Sequence, residues 1–158
     1  MTFFEDLSMQ GYETKYTYIL DAAKQRKTPV PVVIYEYPSQ GWAYQAAVAA
    51  KFFDTKSQQT GRDFRYFIYY NNDLITADNL GQYIKKFATG SHLTLPTYLD
   101  PEGKLKEAVG SDIALAKQSG VKSAPALFVI GKDGTKTQIT DFTQLAGAIT
   151  KAQKKAGV

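Results

Sequence analysis

The side chains that carry most protein chemistry are scarce in this chain of 158 residues, which has no cysteine and one histidine. Dithiol exchange, thiolate attack and cysteine-ligated metal are therefore excluded for these residues. His92, in Ser91-His92-Leu93-Thr94, has no second imidazole with which to build a metal set or a catalytic pair, and reads as a loop residue. Two segments keep a pattern that bears on chemistry. In Val32-Val33-Ile34-Tyr35-Glu36-Tyr37-Pro38-Ser39-Gln40-Gly41-Trp42 a strand-like run is followed at once by a helix-opening turn. Far along the chain, Gly120-Val121-Lys122-Ser123-Ala124-Pro125-Ala126-Leu127-Phe128-Val129-Ile130 is a proline-led strand. Ser39 is placed as a helix N-cap, and Glu36 either as a buried carboxylate with a raised pKa or as an edge-facing charge.

The elements that must position these segments follow from periodicity. Tyr12, Tyr16, Ile19, Leu20 and Ala23 recur at helical spacing up to about Arg26, before Thr28-Pro29. Val32 to Tyr37 is a nearly continuous apolar run, as expected of a central strand buried on both faces. Strong helix formers fill Trp42 to about Gln59, and the alanines between Ala43 and Ala50 imply close approach to another element. Phe64 to Tyr70, aromatic and β-branched, reads as a second central strand. Helices are expected over Thr76 to Ala88 and Pro101 to Ser119, the latter capped by Asp100, with a break near Gly110-Ser111-Asp112 and Gly120 as its C-cap. Ala126 to Ile130 and Lys136 to Thr140 form a hairpin across Gly131-Lys132-Asp133-Gly134. A last helix is capped by Thr140 or Asp141. A strand-helix-strand start requires a parallel crossover and the hairpin requires antiparallel pairing, so the fold class is α/β with a four-stranded mixed sheet flanked by helices.

Element order and local sequence together resemble the thioredoxin superfamily, in particular the DsbA-type disulfide oxidoreductases, in which a Cys-x-x-Cys opens a helix opposite a cis-proline. Ser111 to Val129 is similar to the DsbA-type stretch in which a helix leads through Gly-Val to an x-Pro and a strand. A helical segment at about 74–103 resembles a short form of the DsbA insertion. The resemblance implies one thioredoxin-like domain over 1–158, with Pro125 as the cis-proline and Ala124 before it. It also implies that Ser39-Gln40-Gly41-Trp42 stands where Cys-x-x-Cys would be. A serine hydroxyl there has no redox couple, so the implied protein is redox-inactive. Its old substrate groove, formed by Ser39, Gln40, Gly41, Trp42, Ala124 and Pro125, would persist as a binding surface for a protein or peptide, in a scaffold, assembly factor or envelope secretion or conjugation complex. The same resemblance implies a bacterial periplasmic setting. The enzyme alternative is a glutathione-dependent transferase or isomerase, since kappa-class glutathione transferases share the fold and hold the thiolate with a serine.

Composition bounds the remaining classes. The net charge of +4 owes much to Lys151, Lys154 and Lys155, which suit the C-terminal end of a helix. No arginine-rich or aromatic-interleaved basic stripe accompanies them, so nucleic acid is not an expected partner. No apolar run approaches a membrane span, and Met1 to Asp6 lacks the character of a signal peptide, so the chain is expected to be soluble as given. No cofactor or metal is expected. Tyr35, Tyr37, Tyr44, Tyr66, Tyr69 and Tyr70 are read as clustering around the first two strands, as core rim or as an aromatic partner surface.

Overall fold

The computed structural model describes residues 1–154, so Lys155 lies outside the described residues. In chain order the elements are β1 (Thr2–Glu5), α1 (Glu13–Lys24), β2 (Val33–Glu36), α2 (Gly41–Asp54), α3 (Gln58–Tyr70), α4 (Leu80–Gly90), α5 (Lys104–Gln118), β3 (Ala126–Ile130), β4 (Lys136–Ile139) and α6 (Leu145–Lys154). The strand order is β2-β1-β3-β4, with β1 parallel to β2 and antiparallel to β3, and β3 antiparallel to β4. The sheet is thus mixed and four-stranded, as expected, but its membership differs from the sequence reading in two places.

Phe64 to Tyr70 is helix, the second half of α3, not a strand. Phe64, Arg65, Ile68 and Tyr69 are buried while Tyr66 and Tyr70 are exposed, which is one face of a 3.6-residue period. Aromatic side chains of high strand propensity fill that face, and tertiary packing overrides the propensity. Ser57 starts the helix by accepting the Thr60 N–H at 2.9 Å. The strand missing from the sequence reading is β1, and it takes the central place. Phe3 and Phe4, at 0% and 2% exposure, point to opposite faces of the sheet. β2 is consequently an edge strand rather than a central one, and Val33 is 46% exposed.

One face of the sheet, carrying Phe3, Leu127, Val129 and Ile139, packs with α1 and α6 through Tyr16, Ile19, Leu145 and Ile149. On the other, Phe4, Ala126 and Phe128 meet Ala116 of α5 and Val121. The five alanines of α2 are all buried, and they let this helix lie close to both α3 and α5. The tyrosines do not form one cluster: Tyr35 stacks on Phe4, Tyr69 points into the core, and Tyr66 and Tyr70 stack on each other on the outer face of α3. α5 is unbroken through Gly110-Ser111-Asp112, and it begins at Lys104 rather than Pro101. Asp100 still serves its start, accepting the N–H groups of Leu105 and Lys106 at 3.0 and 2.9 Å. Gly120, at φ +75, ends it in the left-handed conformation, and Val121 N–H bonds back to Ala116 at 3.0 Å.

The layers are joined by a buried ion cluster around Arg65, itself 1% exposed. Arg65 Nε donates to Glu5 Oε1 of β1 at 2.5 Å, and Nη2 to Glu36 Oε1 of β2 at 2.6 Å. Nη1 and Nη2 reach the two carboxylate oxygens of Asp54, the last residue of α2, at 2.7 and 2.8 Å. The planar guanidinium suits this because its donors leave in fixed, divergent directions. Arg65→Met leaves Glu36 buried without a counter-charge and Glu5 without its guanidinium donor. Urea unfolding should show a loss of about 3–5 kcal/mol near neutral pH. The loss should be smaller at lower pH, where Glu36 takes up a proton in addition to the one Glu5 already holds. A loss under about 1 kcal/mol would mean that the cluster does not join the layers.

Candidate functional site

The register fixes what meets at one end of the sheet. Phe4 of β1 lies between Tyr35 of β2 and Ala126 of β3, so the chain leaving β1, the chain leaving β2 and the chain entering β3 converge there. The entering chain is Ser123-Ala124-Pro125, and the Ala124-Pro125 peptide is cis. Because β1 separates β2 from β3, the strand beside Pro125 is followed by Asp6 to Tyr12 and helix α1. The segment at the position that the resemblance gives to Cys-x-x-Cys is therefore Ser8-Met9-Gln10-Gly11, and Ser39-Gln40-Gly41-Trp42 stands one strand further out. The signal was in the sequence: Phe3-Phe4 leads through a glycine turn into the amphipathic helix from Tyr12. This repeats the strand-turn-helix grammar of Val32 to Trp42. Gly11, at φ +65, occupies the left-handed region that favours glycine. Neither segment has a thiol.

Asp6 ties the two loops together. Its side chain is buried, at 1% exposure, and accepts four donors. Oδ1 takes the Ser8 N–H at 2.9 Å and the Ser8 hydroxyl at 2.7 Å. Oδ2 takes the Ser39 N–H at 2.9 Å and, in a short hydrogen bond, the Ser39 hydroxyl. Ser39 thus does not cap α2: Gln40 is the N-cap residue, and no side chain accepts from the first turn. Both hydroxyls are committed as donors to a carboxylate already shared four ways, with no imidazole to accept a proton, so neither serine is set up as a nucleophile. An anionic thiolate beside Ser39 would also face the Asp6 carboxylate, the opposite of the stabilisation that a glutathione site needs.

Of the other expected site residues, Gln40 and Gly41 are exposed at the entry to α2, and Trp42 is half-buried and packs against the main core. Met9 is also half-buried against that core, while Gln10 and Gly11 are exposed. Ala124 and Pro125 are half-buried, and no hydrogen bond among the described residues uses the backbone N–H or C=O of Ala124. His92 is exposed in the turn after α4, with φ 56. Among the described residues no group of His, Cys, Asp and Glu side chains is arranged to hold a metal ion.

Glu36 resolves to the buried alternative, at 1% exposure. With Glu5 it forms the floor beneath this end of the sheet. Glu5 is pushed up from its ordinary 4.5 to about 8, by burial first and then by the charge of Glu36, against the opposing pull of Arg65 and the Tyr69 hydroxyl. Burial raises Glu36 as well, against the pull of Arg65 and Lys51. Burial also works against the charge on Arg65, but Glu36, Glu5 and Asp54 outweigh it and hold the guanidinium firmly protonated. Tyr69, which donates to Glu5 Oε2 at 3.2 Å, is held neutral by burial and then by Glu5. The folded chain thus keeps a proton on Glu5 that the unfolded chain releases above about pH 4.5. That contribution to stability is complete below the unfolded value and is lost as pH rises through about 8. Urea midpoints should fall between about pH 5 and pH 9, with a slope no steeper than about 1.4 kcal/mol per pH unit. Glu5→Gln should flatten the profile, and an unchanged slope in that variant would assign the proton elsewhere.

Protein-family models gave no match to this chain, and neither did the curated proteins. Solved structures did. Alpha-DsbA1 of Wolbachia pipientis is similar in a threonine-to-valine variant, with a TM-score of 0.78 and 15% identity. It is also similar in a double cysteine-to-alanine variant, with a TM-score of 0.73 and 16% identity. Each comparison covers 98% of this chain and 85% of the other. At that identity the likeness establishes architecture, and the chain has a DsbA-like thioredoxin fold that carries no cysteine.

Proposed function

We propose that the protein binds extended polypeptide at the end of the sheet where Ala124-Pro125 meets the Asp6 to Gly11 loop, without redox chemistry, as a scaffold or assembly factor. The observation that carries this reading is the unused backbone of Ala124 beside a loop that Asp6 holds in place. An extended chain can pair with such backbone groups as an added strand, and pairing needs no thiol. Ser39, Gln40, Gly41 and Trp42 flank the groove and would contact the part of the ligand beyond β1. A multi-subunit complex of a bacterial envelope fits this role, because a fixed subunit needs recognition and not turnover. No described helix is long and apolar enough to cross a membrane.

A short blocked peptide of alternating valine and asparagine, which is uncharged, tests the groove by amide chemical-shift mapping. Shifts should concentrate at Gln10, Gly11, Ser123 and Ala124, and hydrogen exchange at the Ala124 amide should slow by roughly tenfold or more. Glutathione should leave the spectrum unchanged. Shifts confined to other surfaces would overturn the reading. Glutathione binding that disappears in Ser39→Ala would replace it with the transferase.

A further inference from the structure

The lateral edge of the sheet at β4 lies apart from the Ala124-Pro125 groove. β4 is an edge strand. Gly131 N–H bonds to Thr135 O at 2.9 Å, and Val129 pairs with Thr137 and Leu127 with Ile139. The alternation of an antiparallel ladder then turns the backbone groups of Thr135, Thr137 and Ile139 towards β3, and those of Lys136 and Gln138 outward. No hydrogen bond among the described residues engages the outward groups.

A groove lies over each face of the sheet. On the α6 side a cavity of about 430 Å³ is lined by Val129, Ile139, Gly147 and Ala148, with Lys151 and the already engaged Asp133 among its walls. The small residues of α6 leave this space, and a Cβ on Gly147 would meet nothing within 4 Å. On the α5 side a cavity of about 190 Å³ lies over β1 and β3, between Phe4, Tyr35, Phe128 and Leu115, and reaches β4 only at Lys136. α5 covers β2, while Ile130 stays 42% exposed and Leu115 37% exposed. A strand added beside β4 would turn alternate side chains towards the α6 groove on one face and towards Lys136 and exposed Ile130 on the other, so a lysine stands on each side.

We infer that the β4 edge takes up an extended, acidic, alternately apolar segment of a partner protein as a fifth strand. Charge selects this occupant. Lys136, Lys151 and Lys132 of the hairpin have no ion-pair partner among the described residues. A second copy of the chain would bring a second set of these lysines against the first, whereas carboxylates on the incoming strand would meet them. Edge lysines also discourage unwanted pairing, so the edge discriminates between partners.

The probe is a short blocked peptide of alternating glutamate and valine, with lysine-valine as its charge-reversed control, titrated into the full chain. The glutamate peptide should bind more weakly as salt rises, and should slow hydrogen exchange at the Lys136 and Gln138 amides; the lysine peptide should do neither. Gln138→Pro removes one outward N–H without touching the β3 ladder, which an edge strand tolerates, and should weaken binding by roughly tenfold. The double variant Lys136→Glu, Lys151→Glu, which leaves the backbone alone, should lose the glutamate peptide and gain the lysine peptide. Thermal unfolding of each variant verifies that it folds. Equal binding of both peptides, equal affinity in the Glu double variant, or protection at residues other than Lys136 and Gln138 would each overturn the inference. So would a concentration-dependent dimer that Gln138→Pro abolishes, which would make the edge a self-association surface.

Discussion

A single guanidinium holds opposing demands together in this fold. Two strands place carboxylates, Glu5 and Glu36, at paired positions on the same face of the sheet, and α2 ends on a third, Asp54. Left alone, that arrangement would not stay buried, since like charges in a poorly solvated interior repel and each loses its hydration. Arg65 makes it tolerable by giving each carboxylate a donor in a different direction, which lysine could not do from one point charge. Burial first, and then the charge of Glu36, keeps a proton on Glu5 against the pull of Arg65, so the cluster is both a fixed joint and a pH-sensitive part of the core. The orientation of α3 follows from the same requirement. Once Arg65 faces the sheet, Phe64, Ile68 and Tyr69 face inward with it, and Tyr66 and Tyr70 face solvent.

The joint has consequences for the loops above it. Glu5 is followed directly by Asp6, whose side chain leaves the opposite face of the chain and gathers donors from both the β1 and β2 loops. β1 therefore anchors the core with one carboxylate and the loops with the next. Asp112 performs a related service at the β2 edge. It accepts the outward Glu36 N–H at 3.0 Å and pairs with Lys51 at 2.5 Å, so α5 closes part of an edge that would otherwise be open. Among the described residues β4 has no such cover, and the two edges of the sheet differ for that reason.

The sequence made the fold class legible through three features: the hairpin chemistry of Gly131 to Gly134, the glycine stop at Gly120, and the proline-led strand that follows. Each is a local signal whose physical cause lies within a few residues. What composition and periodicity did not show was which segments form the centre of the sheet. Phe64 to Tyr70 has the composition of a strand, and only the burial of Arg65 against residues 29 and 60 positions earlier in the chain makes its helical period visible. β1 is four residues long, too short for periodicity to identify. It becomes central because both neighbours pair with it. Misplacing these two segments moved the expected site by one strand, from the β1 loop to the β2 loop, while leaving Pro125 correctly placed at its end of the sheet.

That displacement changes what the site can be. A serine facing a cis-proline at a free helix entry invites comparison with enzymes that hold a thiolate. The same serine bound to a buried carboxylate offers neither a free donor nor a favourable potential for an anion. Ser8 and Ser39 are held by one acceptor, so the loops around them are ordered before any ligand arrives, and less conformational freedom is lost on binding. What stays available at this end of the sheet is backbone: the Ala124 amide and carbonyl, next to exposed Gln10 and Gly11. Backbone groups read the extended conformation of a ligand rather than its reactive centre. In the proposed role, recognition of extended polypeptide would use these backbone groups, with selectivity supplied by whichever side chains surround the paired strand.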